Sequence, residues 1–491
     1  MHVSEPEDFD VGELTEPITR LAGIVGEDDL RTDPEATVSH AVDGVSPRAV
    51  VFPGDTEQVA EVVKLANQED LTILPWGSGS KMAAGNPPKR LDLVVCTSRL
   101  NAITDMDTAN LTVTVQAGVR FKDVQVRLAS RENRCYLPIS SEAEDAAELV
   151  CSERDGTGCF LPLDPPFVDR TTMGGVIASN SSGPRRLLYG LPRDLVLGVR
   201  FVAPNGEIIR AGGKTVKNVS GYDISKLMIG SYGSLGILCE MTLRLLPLPE
   251  RMETLLLRFG SFSDASVFVE RIFESNLLPA AVELMNNRAI DNLAFEGLPG
   301  SESEGYGVAI ALEGLEEPVR RMKSEMTDMA SGLATKGETT LEERQHGVFW
   351  AAVSNMASSL AERFDGLIMA KLSYPVSRWK DLVPSVDRTL SIIRAEHTIS
   401  AHAGNGVCLI NLLMDRGDEA GWKPAVEALG KISKECHLVE GNLVIQKAPA
   451  DLKRRLPVWG EIGPELLVMK RIKEQLDPSG VMCPGPFPGD M

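Results

Sequence analysis

The stretch from Thr171 to Pro247 constrains the fold most, because glycine and small polar residues stand there where an ordinary core carries bulk. It opens with Thr171-Thr172-Met173-Gly174-Gly175-Val176-Ile177-Ala178-Ser179-Asn180-Ser181-Ser182-Gly183-Pro184-Arg185-Arg186. It runs on through Gly213-Lys214-Thr215-Val216-Lys217-Asn218-Val219-Ser220-Gly221-Tyr222-Asp223 and closes with Gly230-Ser231-Tyr232-Gly233-Ser234-Leu235-Gly236-Ile237. Residues without side-chain bulk let backbone amides and carbonyls come close to a ligand, and glycine also permits positive φ. Three such segments in succession predict a chain folded around a large polar ligand. Any one of them alone also fits a loop-rich β domain.

A fourth segment lies upstream. Leu71-Thr72-Ile73-Leu74 reads as a short buried strand that runs into Pro75-Trp76-Gly77-Ser78-Gly79-Ser80-Lys81, with Gly85 a turn later. Glycine and serine amides in such a turn form an anion-binding nest suited to a pyrophosphate. The dinucleotide fingerprint G-x-G-x-x-G fails, because Met82 takes the last glycine position and Asn86-Pro87-Pro88 follows in place of a helix. A P-loop fails as well, since no Gly-Lys-Ser/Thr follows.

Order and spacing make the pattern specific. Ser46-Pro47-Arg48-Ala49-Val50-Val51-Phe52-Pro53 precedes a helix, then come the Gly-Ser-Gly-Ser loop, the Thr171–Asn180 segment and the Gly230–Ile237 run. This arrangement resembles the FAD-binding domain of the vanillyl-alcohol oxidase superfamily, the para-cresol methylhydroxylase type. Pro184-Arg185-Arg186, Tyr189-Gly190, Arg193-Asp194 and Val219-Ser220-Gly221-Tyr222-Asp223 are most similar to the FAD-binding subunits of bacterial glycolate oxidases and their D-lactate dehydrogenase relatives. The resemblance is dense from Pro47 to Pro249, thin beyond it, and returns at Leu476-Asp477-Pro478-Ser479-Gly480-Val481-Met482-Cys483-Pro484-Gly485. It implies an α+β protein: a two-lobed FAD-binding domain followed by an α+β cap with an antiparallel sheet. The expected divisions are a helical lead (1–46), the FAD-binding domain (47–249), the cap (250–447) and a segment returning to the FAD domain (448–491). The residues expected at the FAD are Pro75, Trp76, Gly77, Ser78, Gly79, Ser80, Lys81, Thr172, Met173, Gly174, Gly175, Ala178, Ser179, Asn180, Gly183, Arg185, Arg186, Tyr222, Gly233, Gly236 and Ile237.

Local patterns support such a fold. Asp55 to Gln58 reads as a helix start, and Val59, Val62, Val63 and Ala66 fall on one helical face. Val199–Val202, Pro204-Asn205-Gly206 and Glu207–Arg210 read as a hairpin. Prolines in Leu245-Leu246-Pro247-Leu248-Pro249 mark a boundary, after which strands and helices alternate over longer elements. That alternation predicts an antiparallel sheet with helices on one face.

At 491 residues the chain exceeds one comfortable core. Its 50 basic and 69 acidic residues give a net charge of −19, which argues against nucleic acid or an anionic membrane surface as partner. A local cluster of cations can still receive a small anion. Eight cysteines, Cys96, Cys135, Cys151, Cys159, Cys239, Cys408, Cys436 and Cys483, include no C-x-x-C pair and read as reduced thiols. The acidic Met1–Asp10 is no signal peptide, and no apolar run approaches the ~20 residues of a membrane span. The expected location is cytoplasmic, with any membrane association made through a partner.

The resemblance implies oxidation of a 2-hydroxy acid of the glycolate or D-lactate type by hydride transfer to flavin. Such chemistry needs a base for the hydroxyl proton and a cation for the carboxylate. His402 is the leading base, because His402-Ala403-Gly404-Asn405-Gly406 is similar to the start of a His-x-Gly-Asp-Gly-Asn-x-His segment in the larger glycolate and D-lactate dehydrogenase subunits. In those proteins the segment helps build a metal and substrate site. Here Asn405, Val407 and Leu409 replace its acidic, asparagine and second histidine positions, so no metal is expected. A strand-edge histidine satisfied by backbone is the alternative. Lys371 stands where the family places a basic residue on a cap strand facing the pocket, although an exposed strand lysine fits equally. Neither histidine nor cysteine occurs between Pro75 and Gly85, so noncovalent FAD is expected, with Cys151 and Cys159 near the second motif. Glycolate oxidase systems imply iron–sulfur and second flavoprotein subunits as partners. An FAD subunit that only relays electrons or supports assembly is the competing reading, favoured by the eroded histidine segment.

Overall fold

The structure is a computed structural model that describes residues 15–129, 158–213, 223–293, 295, 298, 305–415 and 419–491. Among the described residues, its N-terminal half holds two larger sheets and a short pair, Cys159–Phe160 with Leu246–Pro247. In the first, Leu30–Arg31, Ala49–Val51, Leu93–Cys96 and Ile73–Trp76 lie in that order, the last three parallel. Ala49–Val51 and Leu93–Cys96 are buried throughout, as parallel strands covered on both faces require. The helix Thr56–Gln68 packs beside them; Asp55 caps it, accepting from the Gln58 amide at 2.7 Å, and Val59, Val62, Val63 and Ala66 are its buried face.

The second sheet is antiparallel, ordered Ile103–Asp107, Thr112–Gln116, Ile237–Arg244, Val196–Val202, Ile208–Gly212. Its last two strands form the hairpin legible in the sequence, with Val202 opposite Ile208. The glycine-rich helix Met173–Ala178 is set against this sheet at backbone distance. Gly174 donates to the Ala117 carbonyl at 2.8 Å, and a Cβ on Gly174 would stand 2.8 Å from the Ala117 Cβ.

The C-terminal half is built on an eight-stranded antiparallel sheet. Its order is Thr335–Glu342, Arg251–Phe259, Tyr306–Gly314, Ala281–Asn286, His397–His402, Val407–Leu412, Ile368–Ser373, Asn442–Lys447. Alternation along the strands gives the sheet two unlike faces. Leu255, Leu257, Val308, Ile310, Ile399 and Ile410 pack under the helices Phe262–Glu274, Glu316–Met329, Trp379–Ile392 and Glu419–Leu438. The expectation of helices on one face only is corrected: Leu256, Ala309 and Ala311 on the other face pack against Phe349 and Trp350 of the helix Arg344–Arg363. That helix covers only part of the second face. Glu283, Ser400, His402, Leu409, Asn411, Lys371 and Met369 follow one another across the rest in register.

The last residues come back to the first sheet. Ile73 donates to the Val481 carbonyl at 2.7 Å and accepts from the Cys483 amide at 2.9 Å. Two buried lysines fix this return. Lys473 donates to Ser234 O at 2.8 Å, Met482 O at 2.9 Å and Asp477 Oδ2 at 2.6 Å, and Lys453 donates to Asp43 Oδ2 and Ala83 O, both at 2.6 Å. Among the described residues, no helix is long and apolar enough to cross a membrane, and the six described cysteines are free and buried.

Candidate active site

Two cavities that share wall residues lie along the glycine-rich segments, and the second faces the open part of the cap sheet. The first is lined by Pro75, Trp76, Gly77, Lys81, Gly174, Gly175, Ala178, Ser179, Tyr232, Gly233, Gly236 and Ile237, with Trp459, Cys483, Pro486 and Phe487 from the C-terminal return. The second is lined by Ser80, Lys81, Ser179, Asn180, Gly183 and Arg186, and on the cap side by Lys371, Ser400, His402, Asn411 and Lys447. Lys81, Ala84, Ser179 and Tyr232 line both.

The glycines hold the loops together as much as they admit a ligand. A Cβ on Gly77 would collide with the Thr172 hydroxyl, so the upstream loop rests directly on the cap of the helix Met173–Ala178. Thr172 itself accepts from the Gly175 amide at 3.3 Å. Gly79 adopts φ +75°, and its Cβ would stand 2.7 Å from the Trp76 ring. Tyr232 also holds a positive φ, +53°, a conformation costly for a bulky residue. Its ring stacks edge-on against Trp459, with centroids 5.6 Å apart.

His402 is buried on its strand and meets a carboxylate. Its Nδ1 donates to Glu283 Oε2 at 2.6 Å, and Ser400 Oγ donates to the other oxygen, Oε1. A carboxylate only accepts, so the hydrogen sits on Nδ1 and Nε2 is the nitrogen left for a ligand. Glu283 lies directly opposite His402 in the strand register. Lys371 is in the same face, and neither it, Arg186 nor Lys447 makes a side-chain hydrogen bond or ion pair among the described residues. Burial lowers the Lys371 ammonium, and the neighbouring Arg186 charge lowers it further. Asp164 enters the second cavity from the FAD side, accepting from the amides of Gly183 at 2.8 Å and Arg185 at 2.9 Å. Burial pushes its carboxyl up to about 6 against the pull of Arg185 and these amides. Lys81 Nζ donates to Thr171 Oγ1 at 2.6 Å, and burial pushes its ammonium down to about 7.

Five residues expected at the FAD stand elsewhere. Arg185 turns away from both cavities and is fully buried, pairing with Glu313 on a cap strand. Tyr189 donates to the same Glu313 oxygen at 2.5 Å, and His346 Nε2 lies 3.3 Å from the other. Burial pushes the Glu313 carboxyl up, but Arg185 and His346 outweigh it and hold it at about 2. Met173 is core, and Ser78, Gly79 and Thr172 support the loops without lining either cavity. Tyr222 lies outside the described residues, as do Cys135 and Cys151. Glu283, Ser400, Asp164, Lys447, Tyr232 and Trp459 are site residues that the sequence reading missed. Glu283 carried a signal, a lone carboxylate in the apolar strand Ala281-Val282-Glu283-Leu284-Met285.

Comparison with known proteins agrees with this architecture. Residues 47–142 and 150–212 match the FAD binding domain family, and residues 248–487 match the C-terminal domain of FAD linked oxidases. The chain belongs to the FAD-linked oxidases and is an oxidoreductase. It is 29% identical over 461 residues to the glycolate oxidase subunit GlcD of Bacillus subtilis, covering 89% of this chain and 88% of the relative. It is 27% identical over 448 residues to a D-2-hydroxyglutarate dehydrogenase of Xanthomonas citri, covering 90% and 89%. Solved structures share the fold: p-cresol methylhydroxylase with substrate bound has a TM-score of 0.73 at 16% identity, covering 98% of each chain. The 4-ethylphenol oxidase from Gulosibacter chungangensis has a TM-score of 0.72 at 15% identity, again covering 98% of each.

The cavities fit FAD on their own chemistry. Ser231 Oγ, beside the first cavity, and Asn180 Oδ1, beside the second, are buried without a partner among the described residues. Trp76, Tyr232, Trp459 and Phe487 offer ring faces and edges to a planar heterocycle in the first cavity. Pro75, Trp76, Gly77, Ser80 and Lys81, with Gly174, Gly175 and Ala178 to Asn180, would hold the cofactor. Cys483 is the one cysteine lining a cavity among the described residues, and burial pushes its thiol up to about 12.

Proposed function

We infer that the chain oxidises a 2-hydroxy acid in the second cavity. The Glu283–His402 pair beside two unpaired cations is the observation that carries this reading. FAD, when bound, supplies the two-electron acceptor for the hydride that leaves C2. His402 Nε2 takes the hydroxyl proton, and Glu283 fixes the ring and stabilises the imidazolium that results. Lys371 and Arg186 receive the carboxylate that all 2-hydroxy acids share. Ser400 holds Glu283 in place through its second oxygen. The relatives named for glycolate and D-2-hydroxyglutarate act on substrates with this common group.

The cofactor is held noncovalently, a reading supported by the protonated state of Cys483 and by the absence of histidine and cysteine from the Gly77–Lys81 loop. Electrons then pass to a partner subunit carrying an iron–sulfur centre, in keeping with the subunit name of the Bacillus relative. Anaerobic mixing of the holoprotein with D-lactate or glycolate bleaches the flavin in a single turnover if the reading holds. His402→Ala slows that step by about 10²–10⁴-fold, and Lys371→Ala chiefly raises the half-saturating concentration. Unchanged kinetics in both variants dispose of the site. Acid precipitation releases intact FAD; flavin retained by the denatured chain refutes noncovalent binding.

A further inference from the structure

We propose that the second cavity is shaped for a 2-hydroxy acid with a second carboxylate, and that Lys447 receives it. This rests on the 2-hydroxy acid reading above and specifies the substrate class. The chain carries 19 more acidic than basic charges, and of its other buried lysines Lys453 pairs with Asp43, Lys473 with Asp477, and Lys81 donates to the Thr171 hydroxyl. Lys371 and Lys447 line the second cavity with no side-chain hydrogen bond or ion pair among the described residues. Asp164 pairs with neither; its oxygens accept from the Gly183 and Arg185 amides, and its charge acts on Arg185 and Arg186. Glu283 meets His402 and Ser400.

The two lysines form separate positions. Lys371 shares a row of the sheet with Leu409 and Ser400, next to His402, and its cationic neighbour is Arg186. Lys447 lies opposite Met369 on the adjacent edge strand, and its cationic neighbour is Arg170. Two residues along a strand and one strand across place their backbones about 7 Å apart in one direction and about 5 Å in the other. A monocarboxylate at Lys371 and Arg186 leaves Lys447 half-desolvated beside a like charge, an arrangement that costs free energy until an anion arrives. Lys447 lines only the second cavity, whereas Gly77, Gly174 and Gly175 of the glycine-rich segments line only the first.

The test compares D-2-hydroxyglutarate with D-2-hydroxyvalerate, which has the same five-carbon chain but a methyl in place of the second carboxylate. In anaerobic flavin reduction by the holoprotein, the dianion should half-saturate at a concentration at least about tenfold lower, the range of one charge-assisted hydrogen bond. Lys447→Met should erase most of that ratio, and Lys447→Arg should restore part of it. A wild-type protein that prefers the valerate, or a Lys447→Met variant that keeps the full ratio with normal flavin content, overturns the proposal. Glutarate, which has no hydroxyl to oxidise, is titrated separately against the oxidised flavin spectrum. If neither hydroxy acid bleaches the flavin yet glutarate perturbs it in the wild type and not in Lys447→Met, the dicarboxylate site stands and the oxidation reading falls. Glutarate binding that is absent, or is equal in both proteins, sinks the site.

Discussion

Glu283→Gln isolates the contribution of one carboxylate to proton removal. The substitution keeps the size of a fully buried side chain and leaves a carbonyl oxygen to accept from His402 Nδ1, now 2.6 Å from Glu283 Oε2. What disappears is a negative charge beside an imidazole that becomes positive only as the hydroxyl proton arrives. Two unit charges about 4 Å apart at an effective dielectric near 20 interact by about 4 kcal/mol. Allowing for the dipole that glutamine retains, about 3 kcal/mol of transition-state stabilisation is lost, or roughly 10²-fold in rate at 1.36 kcal/mol per decade. The loss belongs to the reduction rate at saturating substrate, not to half-saturation, because the charge pair forms after binding. Anaerobic stopped-flow loss of flavin absorbance measures it. A Glu283→Gln protein with full flavin content and wild-type reduction refutes the assignment of His402 as base.

Gly79→Val should leave the protein largely without FAD, because valine at φ +75° is strained and its side chain meets the Trp76 ring, whereas Lys89→Ala, which removes an exposed pair with Asp490, should keep normal flavin content. Equal flavin absorbance in the two purified variants counts against the loop as cofactor support. Lys81, held down at about 7 by burial, is neutral above that pH in the free protein and is recharged by an anionic ligand. FAD affinity of the apoprotein should therefore fall as pH rises beyond 7, by at most about tenfold per unit, and Lys81→Met should flatten the dependence. Arg185→Leu strands Glu313 without its partner and should cost about 3–5 kcal/mol in thermal or urea unfolding. Glu313 is held at about 2 from an ordinary 4.5, so its contribution is complete above 4.5 and the deficit of the variant narrows as pH falls toward 2; a deficit independent of pH rejects the pairing as its cause.

The cofactor half was legible because glycine has few uses. Gly77, Gly174 and Gly233 stand where loops and helices touch at backbone distance, and such contacts repeat in fixed order along the chain. The tandem Arg185-Arg186 was misread for a reason a sequence cannot display. Adjacent residues on one helical turn point about 100° apart, so Arg186 reaches the cavity while Arg185 crosses to Glu313. The local motif draws attention to His402, but the carboxylate that His402 meets lies 119 positions earlier. Only strand register brings Glu283 opposite His402, and nothing short of the sheet order reveals that register. The helix Arg344–Arg363, on the face expected to carry none, escaped the reading for a related reason. Its Trp350 packs on Ala309 and Ala311, small residues that leave little trace in an apolar pattern.

The return of residues 481–487 to the first sheet sets the order in which the holoprotein can be made. Trp459, Cys483, Pro486 and Phe487 wall the first cavity, and Lys453 ties that end of the chain to Asp43 across 410 positions. A nascent chain on the ribosome therefore carries its glycine loops long before it has a chamber to put a flavin in. The chamber closes only once residues 459–487 have come back to the first sheet, and a polypeptide broken off before that return lacks this wall.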